Sequence, residues 1–346
     1  MVETFKNSKG EVVESASLLN EKEVALAERL TNAISEQYGY FVPMTTLTAV
    51  LRDVADQKFY QIPVADYLPV RVGTEAAWAD DILMFRSFQV GGDFEKGYIE
   101  TANEGRLAST DAALDAIRVK ARVWAKELNW SIADVAKAAR SGIWDLVTQK
   151  EKSRRTNWDL GIQKTAFLGS KDGLLEGLAT LSDVTVDSGT LIPASISAMS
   201  DAQFQAFAGG IIGAYQTNNN FTAMPNRLYI PQTDYVALAT ATSVQFPIKS
   251  KIEYLRDVLK AATNQQDFEI KPLAYLQVAQ SDGKLSKDRY ILMRYDEDVA
   301  RFEIPVDYTV TVPNSIEGFT IRNVGYGQHS GVLDARPQEI LYMDKA

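Results

Sequence analysis

Cysteine is absent from all 346 residues. That excludes disulfides, thiolate nucleophiles and cysteine-based zinc sites. Histidine occurs once, as His329, so no site built on two imidazoles, such as an HExxH zinc centre, forms within one chain. No apolar run reaches the ~18 residues needed to span a bilayer. The opening MVETFKNSKGEVVE is polar and mixed in charge, without the apolar segment of a secretory signal. GxGxxG, Walker, GxSxG and kinase signatures are missing as well. These absences point away from an enzyme and lead to an expectation of no cofactor and no metal.

What is present is an ordinary balance for a water-facing fold, 46% hydrophobic and 23% charged. The length suits one large core or two smaller ones. The formal net charge of -9 argues against tight polyanion binding. Yet Asp111 to Gly169 carries eleven Lys/Arg against seven Asp/Glu, a local basic excess that a solvated face would explain.

The stretch Ile143 to Val184 reads as the organising element. A helix from Ile143 to Phe167 would run roughly 37 Å at 1.5 Å per residue. Ile143, Leu146 and Val147 begin an apolar face that Trp158, Ile162 and Ala166 resume. Lys150, Glu151, Arg154 and Arg155 interrupt it, predicting a rod buried at both ends and wet in its middle. The helix is expected to stop at Gly169.

Upstream, Leu18 to Gln37 has amphipathic helical spacing, and Thr45 to Ala55 reads as a second short helix. Ile117, Val119, Ala121, Val123 and Ala125 alternate with Arg118, Lys120, Arg122, Trp124 and Lys126, which predicts a half-exposed strand. Its expected partner is Asp81 to Val90, with a polar, glycine-containing tip between them. Such a two-stranded ribbon of about 45 residues buries little by itself and becomes sensible when it lies on a neighbouring molecule, the alternative being an ordinary sheet inside the domain. Ser131 with Asp134 marks a helix start.

Downstream, Asp187 to Ser197 reads as a linker. Ser200 and Gln203 then form a capping-box pattern, and Phe204, Phe207, Ala208, Ile211, Ile212 and Tyr215 keep helical spacing. Gly209, Gly210 and Gly213 within it suggest close helix packing rather than a phosphate loop. A strand is expected at Arg227 to Pro231 and helices at Thr233–Thr240 and Ser250–Ala262. Further strands at Phe268–Val278 and Arg289–Tyr295 are joined through the hairpin-type turn Ser281-Asp282-Gly283-Lys284. The tail from Val299 to Met343 is strand-rich. Asp296-Glu297-Asp298 and the His329-Ser330 pair attract metal and catalytic readings, but neither has a partner group in the sequence.

The order of these parts resembles the major capsid proteins of tailed bacteriophages, which share the Hong Kong 97-like fold. The resemblance rests on Ala166-Phe167-Leu168-Gly169-Ser170, then Gly173-Leu174-Leu175-Glu176-Gly177-Leu178, and on Gly331-Val332 and Arg336-Pro337 before the last strand. Two details differ from the family pattern: Ser170 stands where an acidic residue is common, and the Leu-Leu pair precedes the second glycine.

The resemblance implies an α+β fold with an N-terminal arm (1–60) and an extended β-hairpin loop (61–130, hairpin about 80–126). A peripheral domain (131–186) would hold the spine helix 143–168. An axial domain (187–298) and closing strands (299–346) would follow. It implies a structural head subunit that assembles with copies of itself into hexamers and pentamers around double-stranded DNA. Scaffolding, portal and decoration proteins would be further partners. The location implied is the virion, built in the host cytoplasm, with no membrane association. Phe94, Tyr98, Arg106, Arg118, Lys120 and Arg122 are the expected inter-subunit contacts. Lys150, Lys152, Arg154 and Arg155 are the expected inner-face cations. The alternatives are an encapsulin-like compartment shell and, from another class, an enzyme or sugar-binding module lacking any familiar motif.

Overall fold

The computed structural model describes residues 4–6, 12–14, 58–73, 75–90, 111–141, 146–242, 248–316 and 318–346. The chain divides into two units, Met1–Gln57 and Lys58–Ala346. In the first, β1 (Thr4–Lys6) pairs antiparallel with β2 (Val12–Glu14). The helices expected at Leu18–Gln37 and Thr45–Ala55 lie outside the described residues.

The second unit is built on a five-stranded sheet that separates two cores. Its order is β6 (Thr185–Asp187), β15 (Ile340–Asp344), β9 (Arg289–Met293), β7 (Arg227–Pro231) and β8 (Glu269–Leu273). The three central strands are apolar without a break because both of their faces are buried. Leu228, Ile230, Tyr290, Leu292, Leu341 and Met343 point into one core. Tyr229, Ile291, Met293, Ile340 and Tyr342, at the alternate positions, point into the other.

The first core is closed by three helices: α3 (Asp201–Asn218), α4 (Gln232–Thr240) and α5 (Lys251–Thr263). Ser200 with Gln203 and Ser250 with Glu253 form complete capping boxes at α3 and α5, each satisfying amides that a helix start leaves open. The apolar residues of α3 named from the sequence are all buried. Its glycines serve no close packing among the described residues, however. There a Cβ added at Gly209 or Gly213 meets nothing within 4 Å, and at Gly210 it meets Leu191 Cδ2 at 3.6 Å. They lie on the opposite side of the helix from its buried stripe.

Three other expectations are corrected here. Asp187–Ser197 is not a linker, because Ile192 and Ile196 are fully buried in the α3 core and the amide of Ala346 donates to the Ile192 carbonyl at 3.0 Å. The turn at Ser281–Lys284 has the expected backbone, with Asp282 and Gly283 both at positive φ, but it closes no hairpin. β7 lies between β8 and β9, parallel to the first and antiparallel to the second. The strand expected over Phe268–Val278 also ends at Leu273, where two single 3₁₀ turns follow.

A second sheet carries the long elements. β5 (Asp111–Ser131) is 21 residues long and changes partner along its length. Asp111 to Lys120 pair antiparallel with β4 (Asp81–Val90), and Ala121 to Ser131 pair with β13 (Thr320–Ser330). β11 (Val306–Val310) and β12 (Asn314–Ile316) extend the far edge. A third sheet places β10 (Ala300–Ile304) between β14 (Val332–Asp334) and β3 (Val70–Val72). Helix α1 (Ile132–Ser141) begins where β5 ends. Ser131 Oγ accepts from the Asp134 amide at 3.1 Å, and Asp134 Oδ2 accepts from the Ser131 amide at 3.3 Å. The long helix follows as α2 (Leu146–Leu168).

Candidate assembly interface

Helix α2 is not wet in its middle. It docks there on the β5/β13 sheet through Arg154 and Trp158, both of which are buried. The sheet accepts them because β13 carries two glycines beneath the helix. A Cβ at Gly327 would lie 2.4 Å from Trp158 Cη2, and one at Gly325 would lie 2.8 Å from Arg154 Nε. The Trp158 indole is enclosed by Trp124 (ring centroids 5.3 Å apart), His329 (5.9 Å) and Tyr308 (6.2 Å).

Arg154 escapes the cost of a buried, unpaired charge by filling its donor set. It donates to the Tyr308 hydroxyl at 3.0 Å, to Asn323 Oδ1 at 3.0 Å, and to the carbonyls of Asn323 and Lys126 at 3.2 and 3.3 Å. Glu151, one helical turn back, supplies the countercharge. Arg154 is therefore a structural cation joining α2, β5, β11 and β13, buried where an inner-face cation was expected.

The other three expected inner-face cations lie differently. Lys150 Nζ donates to the Asn129 carbonyl at 2.9 Å. Lys152 is exposed. Arg155 is exposed, pairs with Asp159 at 3.1 Å and lies over the Tyr308 ring at 4.9 Å.

The C-terminal end of α2 is where the residues that carry the family resemblance meet. After Leu168 the chain turns at Gly169 (φ +74°) and folds back along the helix end. Leu178 and Ala179 donate their amides to the carbonyls of Ala166 and Phe167 at 2.8 and 2.9 Å, and Ser170 donates to Leu175 O at 2.9 Å. Carbonyls that a helix terminus leaves open are thereby satisfied by the loop itself.

This return has room only for glycine. A Cβ at Gly177 would fall 2.3 Å from the Gly169 nitrogen, and one at Gly169 would fall 2.2 Å from the Leu175 carbonyl oxygen. The second signature stretch closes over the same loop. Val332 donates its amide to Glu176 O at 2.9 Å, and a Cβ at Gly331 would be 3.1 Å from Glu176 backbone atoms. Asp172 in this loop holds its carboxyl at a pKa of about 2, foremost through the Ser170 hydroxyl, then through the Leu174 amide and Arg122. Arg122 pairs with it at 2.6 Å across from β5, a surface pair of small energetic weight.

The root of the ribbon is fixed from beneath. Ile82 packs with Leu333 and Ala335, and Met84, Val119 and Ala121 complete this small core. Just upstream, the buried side chain of Gln328 holds the turn that starts β4. It accepts from the Trp78 amide at 2.7 Å and donates to Ala79 O at 2.6 Å, keeping Trp78 at φ +63° against Tyr326.

The outer face of the root is open. Leu83 and Phe85 are 57% and 61% exposed. Cross-strand from Leu83 is Arg118, which pairs with Asp81, and Lys120 stands opposite Asp81. Of the six expected contact residues, Arg118, Lys120 and Arg122 are thus exposed on β5, whereas Phe94, Tyr98 and Arg106 lie outside the described residues.

The remaining chemical candidates resolve as structure. His329 lies between Trp158 and Phe302, and burial lowers its pKa, so the imidazole is neutral. Ser330 bonds backbone carbonyls of Glu303 and Gly331. Asp296 accepts from the Asp298 amide at 3.1 Å, as turn aspartates do. No group of three metal-ligating residues exists among the described residues, and no helix among them is long and apolar enough to cross a membrane. One buried network had no sequence signal: Asp234, on α4, accepts from both Ser195 and Tyr290, tying three elements of the α3 core together.

Comparison with known proteins agrees with this geometry. No curated protein matches the chain by sequence. Among solved structures, the capsid of Myoviridae phage XM1 superposes with a TM-score of 0.70 at 14% identity, covering 89% of this chain and 100% of that one. A structure from Mycobacterium phage Ogopogo gives 0.56 at 11% identity, covering 89% and 100%. The capsid of a native GTA particle gives 0.53 at 11%, covering 90% and 98%. These likenesses establish the fold. The family model described as major capsid protein matches residues 100–345, most of the chain, and the protein belongs to that major capsid protein family, as a structural subunit of an icosahedral head.

Proposed function

We propose that this subunit joins its neighbours by laying the β4–β5 ribbon over an adjacent copy, within hexamers and pentamers that enclose double-stranded DNA. The observation that carries the reading is the change of partner on β5. The strand outruns β13 by ten residues, roughly 34 Å at the usual strand rise. Along that span its root offers Leu83, Phe85, Arg118 and Lys120 to solvent. A two-stranded ribbon with an apolar and cationic outer face gains its stability from a second surface. Residues 187–298 meet their copies around the five- and six-fold positions, where heterologous contacts must close rings.

The packaged DNA is held weakly and without sequence preference. A net charge of -9 opposes tight binding, and Lys150, Lys152 and Arg155 on α2 temper that repulsion locally. Scaffolding, portal and decoration proteins are the further partners of assembly, which takes place in the host cytoplasm, and the subunit performs no catalysis.

Electron microscopy of the assembled protein tests this reading. Heads that carry a portal and are filled with DNA are expected. Small uniform shells filled with protein would instead mark an encapsulating compartment.

A further inference from the structure

At the C-terminal end of α3 the backbone adopts a costly conformation that gains no packing for its side chain among the described residues. Asn219, whose side chain donates to Ala223 O at 2.7 Å, ends the helix. Asn220 follows at φ 53° and Phe221 at φ 61°. The Phe221 amide donates to Gln216 O at 2.9 Å, the six-to-one bond of a Schellman ending, in which the residue at this place commonly packs its apolar side chain back on the last turn. Asn tolerates the left-handed region, but an aromatic residue pays for it. Phe221 does not pack back, and its side chain is the most exposed aromatic described, at 74%.

Beside it opens a cleft of about 550 Å³ between the turn and the root of the ribbon. Phe85 stands on the opposite lip, and Arg86, Arg294 and Arg336 line the cleft with Glu339 and Asp298, three guanidinium groups to two carboxylates. Glu339 is shared by Arg294 at 2.6 Å and Arg336 at 3.4 Å, while buried Arg86 Nε has no hydrogen-bond partner among the described residues.

We infer that Phe221 is an anchor buried by a second copy of this chain, which also sets a carboxylate into the arginine-rich cleft. Double-stranded DNA meets a phenyl ring only by unstacking its bases, whereas a protein surface offers a ready apolar pocket, so the exposed ring favours protein. Every subunit carries the same strained, exposed ring, and the one partner that a shell of copies always supplies to every subunit is the next copy. The excess of arginine fits it, because the chain has 45 Asp/Glu to 36 Lys/Arg. Exposed aromatic and arginine side chains are the types that dominate binding at such contacts. The inference requires only that copies assemble, and it does not depend on where the ribbon tip lies.

Phe221→Asn tests it, since asparagine suits the left-handed backbone and removes the ring. The thermal midpoint of the unassembled subunit should stay level or rise. The subunit concentration at which half the protein sediments as particles should rise at least tenfold. Arg336→Gln, which leaves Glu339 paired with Arg294, should raise that concentration too and flatten its salt dependence. A lower midpoint for Phe221→Asn would show the ring packing within its own subunit and overturn the inference. So would an unchanged assembly concentration, or normal shells that retain less DNA.

Discussion

Gly177→Ala yields a subunit that loses cooperative folding or is stable only with a much lowered denaturation midpoint. The added methyl would lie 2.3 Å from Gly169 N, 2.6 Å from Leu168 N and 2.6 Å from Phe167 C. All three are backbone atoms at the end of a buried helix, so no rotamer change relieves the contact. The loop must lift, and the bonds from Leu178 and Ala179 to the helix carbonyls are lost with it. At about 1–3 kcal/mol for each of the two bonds whose buried groups are left unpaired, the loss is roughly 2–6 kcal/mol, a large part of the ~5–15 kcal/mol that stabilises a domain. Urea unfolding of the unassembled subunit, followed by far-ultraviolet circular dichroism, measures it. A midpoint equal to that of the parent would contradict the close approach of Gly169 and Gly177.

The second large effect concerns the middle of α2. Trp158→Ala removes a ring that touches Trp124, Tyr308 and His329, and the expected cost is about 3–5 kcal/mol. Gly327→Ala acts on the same contact from the other side. Its methyl would press on the indole at 2.4 Å, a cost of about 1–3 kcal/mol for overpacking. Because both changes act through one contact, their effects are not additive. With the indole gone, the methyl of Gly327→Ala fills part of the cavity, so the double variant should be no less stable than Trp158→Ala alone. A double-mutant cycle reads the coupling directly. Additive losses would mean that Gly327 is not there to admit Trp158.

The sequence was most readable where pattern and packing coincide. The alternation from Ile117 to Lys126 belongs to a strand, although it straddles two different environments. Val119 and Ala121 face the small core under the ribbon, whereas Trp124 on the other face meets α2. Helices α3 and α5 were legible because each carries both a capping box and an apolar stripe. The stretch Gly169 to Leu178 was recognisable as a signature, and the structure supplies its cause in a backbone contact that leaves no room for a side chain.

Other features were hidden because the sequence does not display contacts between distant segments. Polar residues in the middle of α2 suggested water, but Arg154 finds its acceptors on Lys126, Tyr308 and Asn323, the last 169 residues away. Gly325 and Gly327 would have been the clue, two small residues on one face of a strand. Ile192 and Ile196 were hidden in a stretch whose serine, glycine and proline content reads as a loop. The turn at Ser281–Lys284 has hairpin chemistry, yet turn chemistry says nothing of a third strand inserted between its arms. The alternate faces of the central sheet were obscured for a simpler reason, since a strand buried on both sides loses its period.

Ribbon-mediated joining of copies is tested most directly by shortening the tip between Gly97 and Asp111 and sedimenting the product. The account predicts a folded, soluble subunit, with its unfolding midpoint close to that of the parent, that forms no closed shells. Particles sedimenting as the parent's do, from a subunit that has lost its ribbon tip, would contradict it.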